Sequence, residues 1–419
     1  MNHAEAEQLE QAIESITGMA VEAGLDFFTM RYEVCPAETL YSIGAYGMPT
    51  RFTHWSFGKT YHRMKSEYDY GLSRIYELVI NSDPCYAFLL DHNTLLQNKL
   101  IVAHVLAHSD FFKNNTMFRG TDRRMVERMA VFARRMRAFE QEFGSDAVEE
   151  TLDAALALHE HVDPHTRFGA KGGFRESEGG TKDVVGFIAG ESRSLADWQR
   201  EVLYMLREEM LYFWPQMETK VLNEGWATFW HLRLVRQLEL TGAEIMDFAK
   251  MNAGVVQPGA GSLNPYYLGV KMLEYIERHK GLEALFEIRE TESDVSFVRN
   301  YLDKALVEEM DLFLFGRKDD LYVVTSKEVE EVKQTLIRQR TNGGFPYVTA
   351  MDADHGGRGE LLLLHRYDGL ELDRRYVDRT LPLLHRLWGK PVHLETRDRD
   401  NRRLVYSFDG EKVLAGLAG

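Results

Sequence analysis

Two histidines four residues apart carry the strongest chemical signal in this sequence. In the stretch His104-Val-Leu-Ala-His108 both imidazoles fall on one face of a helix, so they can converge on one ion. The neighbouring residues are apolar, and a buried imidazole costs free energy unless a partner satisfies it. The pair alone fits a divalent metal site and a pair of hydrogen-bonded core histidines equally well.

A carboxylate in an aromatic segment shifts this balance toward a metal. Glu224 lies in the run NEGWATFWH, and His231 follows seven residues later on the same helical face. A glutamate beside two tryptophans is seldom buried without a cation. That cation is either Lys220, one helical turn earlier, or a first-row metal held by His104, His108 and Glu224. Zinc is the metal that we expect first.

A tyrosine at a helix start is the third candidate. Gln257-Pro258-Gly259 predicts a loop, and the run Asn264-Pro265-Tyr266-Tyr267 predicts the beginning of the next helix. A tyrosine hydroxyl presented in this way can donate to an oxyanion. The alternative is ordinary packing at a helix start. A functional role for Tyr266 therefore requires a catalytic or metal site next to it.

Hydrophobic residues at helical spacing dominate the first three quarters of the chain. We expect helices over residues 95–113, 122–143 and 217–240, with Pro215 punctuating the chain before the last of them. The glycine-rich stretch 163–195 predicts a long loop or a disordered insert. The candidate ligands therefore lie on helices.

Near residue 319 the pattern changes to short strand-like segments that alternate with helices. Residues 392–397 and 403–408, for example, read as two closing strands. The sequence therefore predicts a mainly α large domain over residues 1–318, with a zincin-like or otherwise metal-centred helical core. A small α+β domain is expected to follow over residues 319–419.

Composition narrows the classes of function. The net charge of −15 and the pI of about 5.5 disfavour binding to nucleic acid or to an anionic membrane surface. The first residues lack the pattern of a signal peptide, and no apolar run is long enough to span a bilayer, so we expect a cytoplasmic protein. Two isolated cysteines, Cys35 and Cys85, make neither a disulfide framework nor a thiolate metal site.

Four long segments rich in Trp, Asn and Tyr stand out: HVLAHSDFFKNN (104–115), REEMLYFWPQMETKVLNEGWATFWH (207–231), NPYYLG (264–269) and RNYLD (299–303). Together they resemble the stage V sporulation protein R (SpoVR) family. The resemblance implies a role in spore cortex or cell-envelope formation, although the family also occurs in bacteria that never sporulate. Its members are often encoded near a serine kinase, which implies a protein partner from a kinase-linked system. The resemblance names no reaction.

The order of these motifs is also similar to that of gluzincin-type zinc peptidases. That similarity implies His104, His108 and Glu224 as zinc ligands and Tyr266 as the oxyanion donor. Gluzincins carry a glutamate general base directly after the first histidine, and here that position is Val105.

Another group must then take the proton, or the site does not hydrolyse peptides. The candidates for this base are His231, Glu208 and Glu209, which lie near the same motifs in the sequence. His231 as a fourth ligand would instead close the coordination shell and make the metal structural.

Three interpretations of function remain open. The first is a metal-dependent hydrolase of a peptide or amide bond, acting on a small or peptide substrate. The second is a non-catalytic regulatory or scaffold protein with a structural metal or none. The third is an oxidoreductase that uses iron at a histidine–carboxylate site. Two observations would distinguish the three interpretations: which metal is bound, and whether it has an open coordination position.

Overall fold

The computed structural model describes residues 3–70, 77–165, 180–256, 264–318 and 321–417. The chain forms two compact units, each assembled from three segments. The predicted domain boundary between residues 318 and 319 stays a prediction. The first unit comprises Met1–Pro49, Trp55–Val126 and Pro215–Gly343, and the second comprises Thr50–His54, Glu127–Trp214 and Gly344–Gly419.

Helices predominate in the described residues. The α-helices are α1 (His3–Glu22), α2 (Ala37–Tyr46), α3 (Trp55–Asp69), α4 (Leu95–Asn114), α5 (Met125–Phe143), α6 (Ser145–Leu156), α7 (Val184–Glu191), α8 (Asp197–Glu218), α9 (Lys220–Val235), α10 (Gly242–Val256), α11 (Pro265–Lys280), α12 (Leu282–Thr291), α13 (Asp294–Tyr301), α14 (Lys304–Glu309), α15 (Val329–Arg340) and α16 (Arg374–Trp388). The strands are β1 (Met30–Cys35), β2 (Glu77–Ile80), β3 (Cys85–Leu90), β4 (Leu314–Lys318), β5 (Leu321–Ser326), β6 (Val348–His355), β7 (Glu360–His365), β8 (Val392–Arg397), β9 (Arg403–Phe408) and β10 (Val413–Leu417). No helix in these ranges is both long enough and apolar enough to cross a bilayer.

The predicted fold class, mainly α with a small α+β portion at the C-terminal end, is confirmed. Five strands form a mixed sheet in the order β10-β9-β8-β7-β6, in which only the β7–β8 pair is parallel. Helix α16 packs on β8 and β9 of this sheet and on α6. The strands β8 and β9 have the bounds that the sequence predicts.

Helix α4 lies at the centre of the first unit. Thr94 begins it with a capping box, in which Thr94 and Gln97 satisfy each other's backbone N–H groups. The helix is buried along most of its length, which fits its apolar surroundings. Each fully buried Val, Leu or Phe side chain contributes roughly 1.5–3 kcal/mol to the free energy of unfolding. The neighbours of α4 include α1 and α9, and α9 packs in turn on α11.

Helices α9 and α11 cross at two glycines. A Cβ atom on Gly269 would lie 2.2 Å from the Val221 carbonyl oxygen and 2.7 Å from the Gly225 Cα. A Cβ on Gly225 would lie 2.5 Å from the Gly269 Cα. No other residue type fits this crossing without separating the helices. The glycines in the motifs EGWA and YYLG therefore set the distance between the two helices.

A three-stranded sheet in the order β1-β3-β2 covers α4, and the sequence analysis did not predict it. Strand β3 is parallel to β1 and antiparallel to β2. Ala87 and Leu89 of β3 and Val79 of β2 pack against Ile101 and Val105 of α4. Val105, which follows His104, therefore packs in the contact between the helix and the sheet.

Two local predictions are wrong and two fall partly outside the described residues. Pro215 does not end a helix but lies inside α8, and α7 occupies part of the stretch 163–195 that the sequence analysis assigns to a loop. Residues 166–179 of that stretch lie outside the described ranges. The predicted loop Gln257-Pro258-Gly259 lies outside them as well.

Candidate metal centre

Helices α4 and α9 bring His104, His108 and Glu224 together. One ligand atom from each residue lies within 4.8 Å of the other two. The Nε2 atoms of the two histidines are 3.0 Å apart. The Glu224 Oε2 atom lies 3.5 Å from His108 Nε2 and 3.9 Å from His104 Nε2. The three side chains thus present two nitrogens and one oxygen to a common point.

The spacing of these atoms suits a first-row metal ion. Zinc binds imidazole nitrogen and carboxylate oxygen at about 2.0–2.2 Å in tetrahedral geometry, which separates two ligand atoms by about 3.3 Å. The observed separations range from 3.0 to 3.9 Å. Two histidines linked only to each other would leave Glu224 without a role, whereas one ion satisfies all three groups.

The opposite nitrogen of each histidine is already engaged. His108 Nδ1 donates to Asn223 Oδ1 at 2.9 Å, and His104 Nδ1 lies 3.0 Å from His231 Nδ1. A histidine that binds metal through Nε2 carries its proton on Nδ1 and donates it to a second group, which fixes the orientation of the ring. Asn223 and His231 occupy these positions. The predicted catalytic or ligand role of His231 stays a prediction.

His231 lies in a buried chain of polar groups. Its Nε2 atom and the Oδ1 atom of Asn252 have no hydrogen-bond partner in the described residues. Burial lowers the pKa of His231 to about 4, and the nearby Asn252 side chain opposes this shift. A neutral His231 can accept the His104 proton on Nδ1 and present its own N–H toward Asn252.

In the described residues, no lysine or arginine forms an ion pair with the Glu224 carboxylate. Its Oε2 atom is buried and has no hydrogen-bond partner in the described part of the chain. Lys220, the alternative partner, is exposed and forms no ion pair with it in those ranges. A buried carboxylate is costly without a cation, so this oxygen fits the ligand set of a metal.

The two histidines differ in their electrostatic surroundings. Burial, followed by the charges of His108 and His231, holds the pKa of His104 well below its usual value. Burial also acts to lower the pKa of His108, but the nearby carboxylate of Glu224 outweighs it and raises that pKa. Of the two imidazoles, His108 is therefore the one whose positive charge Glu224 stabilises.

Tyr266 faces the same group from the first turn of α11. The Asn264 side chain accepts hydrogen bonds from the backbone N–H groups of Tyr266 and Tyr267 and so begins the helix. The Tyr266 ring stacks on His104, with ring centroids 6.4 Å apart. Burial and then the charge of Glu224, which its hydroxyl also contacts, raise the pKa of Tyr266, so the hydroxyl stays a donor. The role of Tyr266 as an oxyanion donor stays a prediction.

Asp110 ties the two ligand-bearing helices together. Its carboxylate accepts from Trp226 Nε1 at 2.9 Å and from the Asp26 backbone N–H at 2.8 Å, and it pairs with Arg289 at 3.3 Å. Asp110 follows His108 by two residues, and Trp226 follows Glu224 by two. Their hydrogen bond therefore holds the ligands of α4 and α9 at a fixed separation.

Asp294 holds the beginning of α9. Its two carboxylate oxygens accept from the backbone N–H groups of Val221 and Leu222, each at 2.9 Å. These groups lack partners inside the helix, so the contact is a cap supplied by α13. Burial raises the pKa of Asp294 to about 7, and the two backbone hydrogen bonds oppose the shift. The cap fixes the turn that carries Asn223 and Glu224.

Glu209, a predicted catalytic residue, belongs to the second unit. Arg51 donates to its Oε2 atom from Nε at 2.8 Å and from Nη2 at 2.7 Å. Burial raises the pKa of Glu209, and the guanidinium of Arg51 opposes that shift. Glu209 thus has its own cation, and its catalytic role stays a prediction.

Sequence reasoning missed several residues that shape the centre. Asn223 precedes Glu224 in the sequence. It could have been found from the rule that a metal-binding histidine donates its second N–H to a hydrogen-bond acceptor. Glu77 lies on a strand that was not predicted, and the charges of His108 and Glu224 both act on it. No spacing rule connects Glu77 with histidines 27 and 31 residues later.

Comparisons with known proteins agree with the motifs. The family described as "SpoVR like protein" matches residues 3–178 and 174–345, and "SpoVR-like C-terminal domain" matches residues 346–399. The chain is 28% identical to the "Uncharacterized protein YcgB" of Escherichia coli (strain K12), over 90% of this chain and 89% of that protein. No solved structure matches the chain significantly.

Proposed function

We propose that this chain, which belongs to the SpoVR family, is a metal-dependent hydrolase of a peptide or amide bond. Zinc is the expected metal, and His104, His108 and Glu224 are the expected ligands. The observation that carries the proposal is the orphaned Glu224 oxygen facing two Nε2 atoms whose opposite nitrogens are already bonded. The order of motifs, similar to that of gluzincin peptidases, supports the same interpretation.

The ligand set leaves room for chemistry. A catalytic zinc has three protein ligands and an open position for water or substrate, whereas a structural zinc has four protein ligands. Within the described residues the converging group contains two histidines and one carboxylate. When bound, the metal would polarise a carbonyl and activate a water molecule.

Tyr266 supplies the second element of the proposed reaction. Its hydroxyl faces Glu224 and its ring lies against His104, so a substrate bound at the open position meets this donor. Attack on an amide carbonyl places negative charge on the oxygen, and a preorganised donor stabilises that charge. Tyr266 would therefore contact the developing oxyanion.

The biological setting that we propose follows from the family alone. The family name implies action in spore cortex or cell-envelope formation, with an amide of the envelope or a regulatory protein as substrate. A partner from a kinase-linked system and a cytoplasmic location belong to the same proposal.

One observation favours a second candidate, an iron-dependent oxidoreductase. Two histidines and one carboxylate with open positions are also the ligand set of non-haem iron(II) enzymes that use oxygen. The remaining alternative, a regulatory protein with a structural metal, requires a fourth protein ligand. His231 is the nearest candidate, but its Nδ1 atom already contacts His104.

Elemental analysis of the purified full-length chain tests the proposal. We expect about one equivalent of zinc in the wild type and a loss of metal in His104→Ala and in Glu224→Ala. Iron in place of zinc would favour the oxidoreductase. No metal after reconstitution with zinc, iron or manganese would refute both enzymes and leave a histidine core. His92→Ala, at an exposed histidine, is the matched control.

A further inference from the structure

A glutamate on the edge strand of the first unit faces the candidate metal centre from the sheet. Glu77 begins β2 and pairs in register with Leu89 of β3, while Val79 pairs with Ala87. Val79, Ala87 and Leu89 all pack on α4. Side chains two apart on a strand point to the same face, so Glu77 points toward α4 as Val79 does.

Glu77 interacts electrostatically with groups on α4, α9 and α11. The charged groups that act on its carboxylate are His108 and Glu224, and Glu77 in turn acts on Tyr266. Glu77 does not join His104, His108 and Glu224 in the group whose ligand atoms lie within 4.8 Å of one another. It is thus beside the ligand set and not part of it.

The position of Val105 explains why a carboxylate on this strand matters. The residue after His104 points into the contact with the sheet, where it packs on Val79 and Leu89. A glutamate at that position would be buried in an apolar contact. The sheet that covers this side of α4 carries its own carboxylate, Glu77, on the same face.

We infer that Glu77 is the proton acceptor of this site. The inference rests on the proposed hydrolase function and adds the base that the helix lacks. A water O–H bond breaks, its proton moves to a Glu77 carboxylate oxygen, and the water oxygen bonds to the substrate carbonyl carbon. The proton then passes from Glu77 to the amide nitrogen as the C–N bond breaks. The products are a carboxylic acid and an amine, and Glu77 is again a carboxylate.

Acetohydroxamic acid is a probe that needs no knowledge of the substrate. It binds an open metal position as an anion, and a base in the site that takes up its proton strengthens this binding. The experiment loads the full-length chain with cobalt(II) and follows the visible spectrum during titration with the probe. The variants are Glu77→Gln, Glu77→Asp and, as matched control, Glu33→Gln, which removes an exposed carboxylate from β1 of the same sheet.

We expect all four proteins to bind one equivalent of cobalt. Glu77→Gln should bind the probe at least about tenfold more weakly than the wild type, because the hydroxamic proton has lost its acceptor. Glu77→Asp should recover part of the affinity, and Glu33→Gln should match the wild type.

Other outcomes overturn the inference in distinguishable ways. Equal affinity of Glu77→Gln and wild type for the probe removes Glu77 from the reaction and leaves the metal centre intact. Loss of cobalt from a folded Glu77→Gln makes Glu77 a ligand instead of a proton acceptor. Cobalt without probe binding in the wild type means a closed site, and no cobalt in the wild type refutes the proposed function itself.

Discussion

Glu209, which is buried, and Glu224, which is half-buried, lie on helices of different units, and the groups that face their carboxylates differ. Two N–H groups of Arg51 donate to Glu209 Oε2. Glu224 Oε2 instead faces two imidazole nitrogens, with no lysine or arginine paired to it in the described ranges. Glu209 thus has a guanidinium of its own at Oε2, although its Oε1 atom lacks a hydrogen-bond partner in the described residues, whereas the groups nearest Glu224 Oε2 are imidazoles. The comparison separates a structural ion pair from a candidate metal centre.

The largest expected effect concerns the ion pair between Arg51 and Glu209. Arg51→Ala strands a buried carboxylate and should lower the free energy of unfolding by about 3–5 kcal/mol, whatever metal is present. Urea unfolding at pH 8 with a chelator measures it. Arg135→Ala, which breaks the exposed pair with Glu201, should cost about 1 kcal/mol or less. A similar small loss in Arg51→Ala would mean that Glu209 does not depend on its guanidinium.

At the candidate metal centre, the stability of the protein should depend on bound metal. In His108→Ala we expect no bound zinc and no thermal stabilisation by added zinc. The wild type should gain about 2.7 kcal/mol when free zinc is 100 times the dissociation constant. Calorimetry with and without zinc measures the difference, and Glu224→Gln should weaken binding less because one oxygen remains. Equal zinc stabilisation of His108→Ala and wild type would remove His108 from the ligands.

A smaller effect is expected from Asn223, which accepts the hydrogen bond of His108 Nδ1. Asn223→Ala removes the acceptor of the Nδ1 proton and should lower zinc affinity by about 10–100-fold while the stoichiometry stays at one. Competition with a chromophoric chelator measures the affinity. Asn223→Asp retains an acceptor and should recover most of it. An unchanged affinity in Asn223→Ala would show that the orientation of His108 does not depend on this hydrogen bond.

A pH-dependent effect is expected from the cap on α9. Because the pKa of Asp294 is raised from 3.8 to about 7, the folded state holds its proton longer than the unfolded state does. Its contribution to stability is present below about pH 4 and is lost as the pH rises toward 7. The difference in free energy of unfolding, wild type minus Asp294→Asn, should therefore fall across this window, by at most about 1.4 kcal/mol per pKa unit. A difference that stays constant with pH would contradict the raised pKa.

The sequence predicted the parts of the centre that lie at helical spacing. His104 and His108 are one turn apart on a helix whose apolar run is unmistakable, and the observed Leu95–Asn114 matches the expected 95–113. Glu224 stood out because a carboxylate is rare in an aromatic run. These residues were accessible because local periodicity determines their side of the helix.

The remaining groups depend on contacts between distant segments. Glu77 lies on a four-residue strand, and pairing with β3 sets the register that turns its side chain toward α4. Asp294 lies some seventy residues from the helix that it caps. Pro215 was expected to punctuate the chain, yet it lies inside α8. Tertiary contacts place Glu77 and Asp294, and no local pattern encodes those contacts.

The metal environment is the most direct test of the central claim. X-ray absorption spectroscopy of the purified full-length chain at the zinc edge resolves the ligands and their distances. We predict stoichiometric zinc with two imidazole nitrogens and carboxylate or water oxygen at about 2.0–2.2 Å, and one imidazole fewer in any zinc retained by His104→Ala. A shell without imidazole, or a shell that His104→Ala leaves unchanged, would contradict the assignment of His104, His108 and Glu224 as a metal centre.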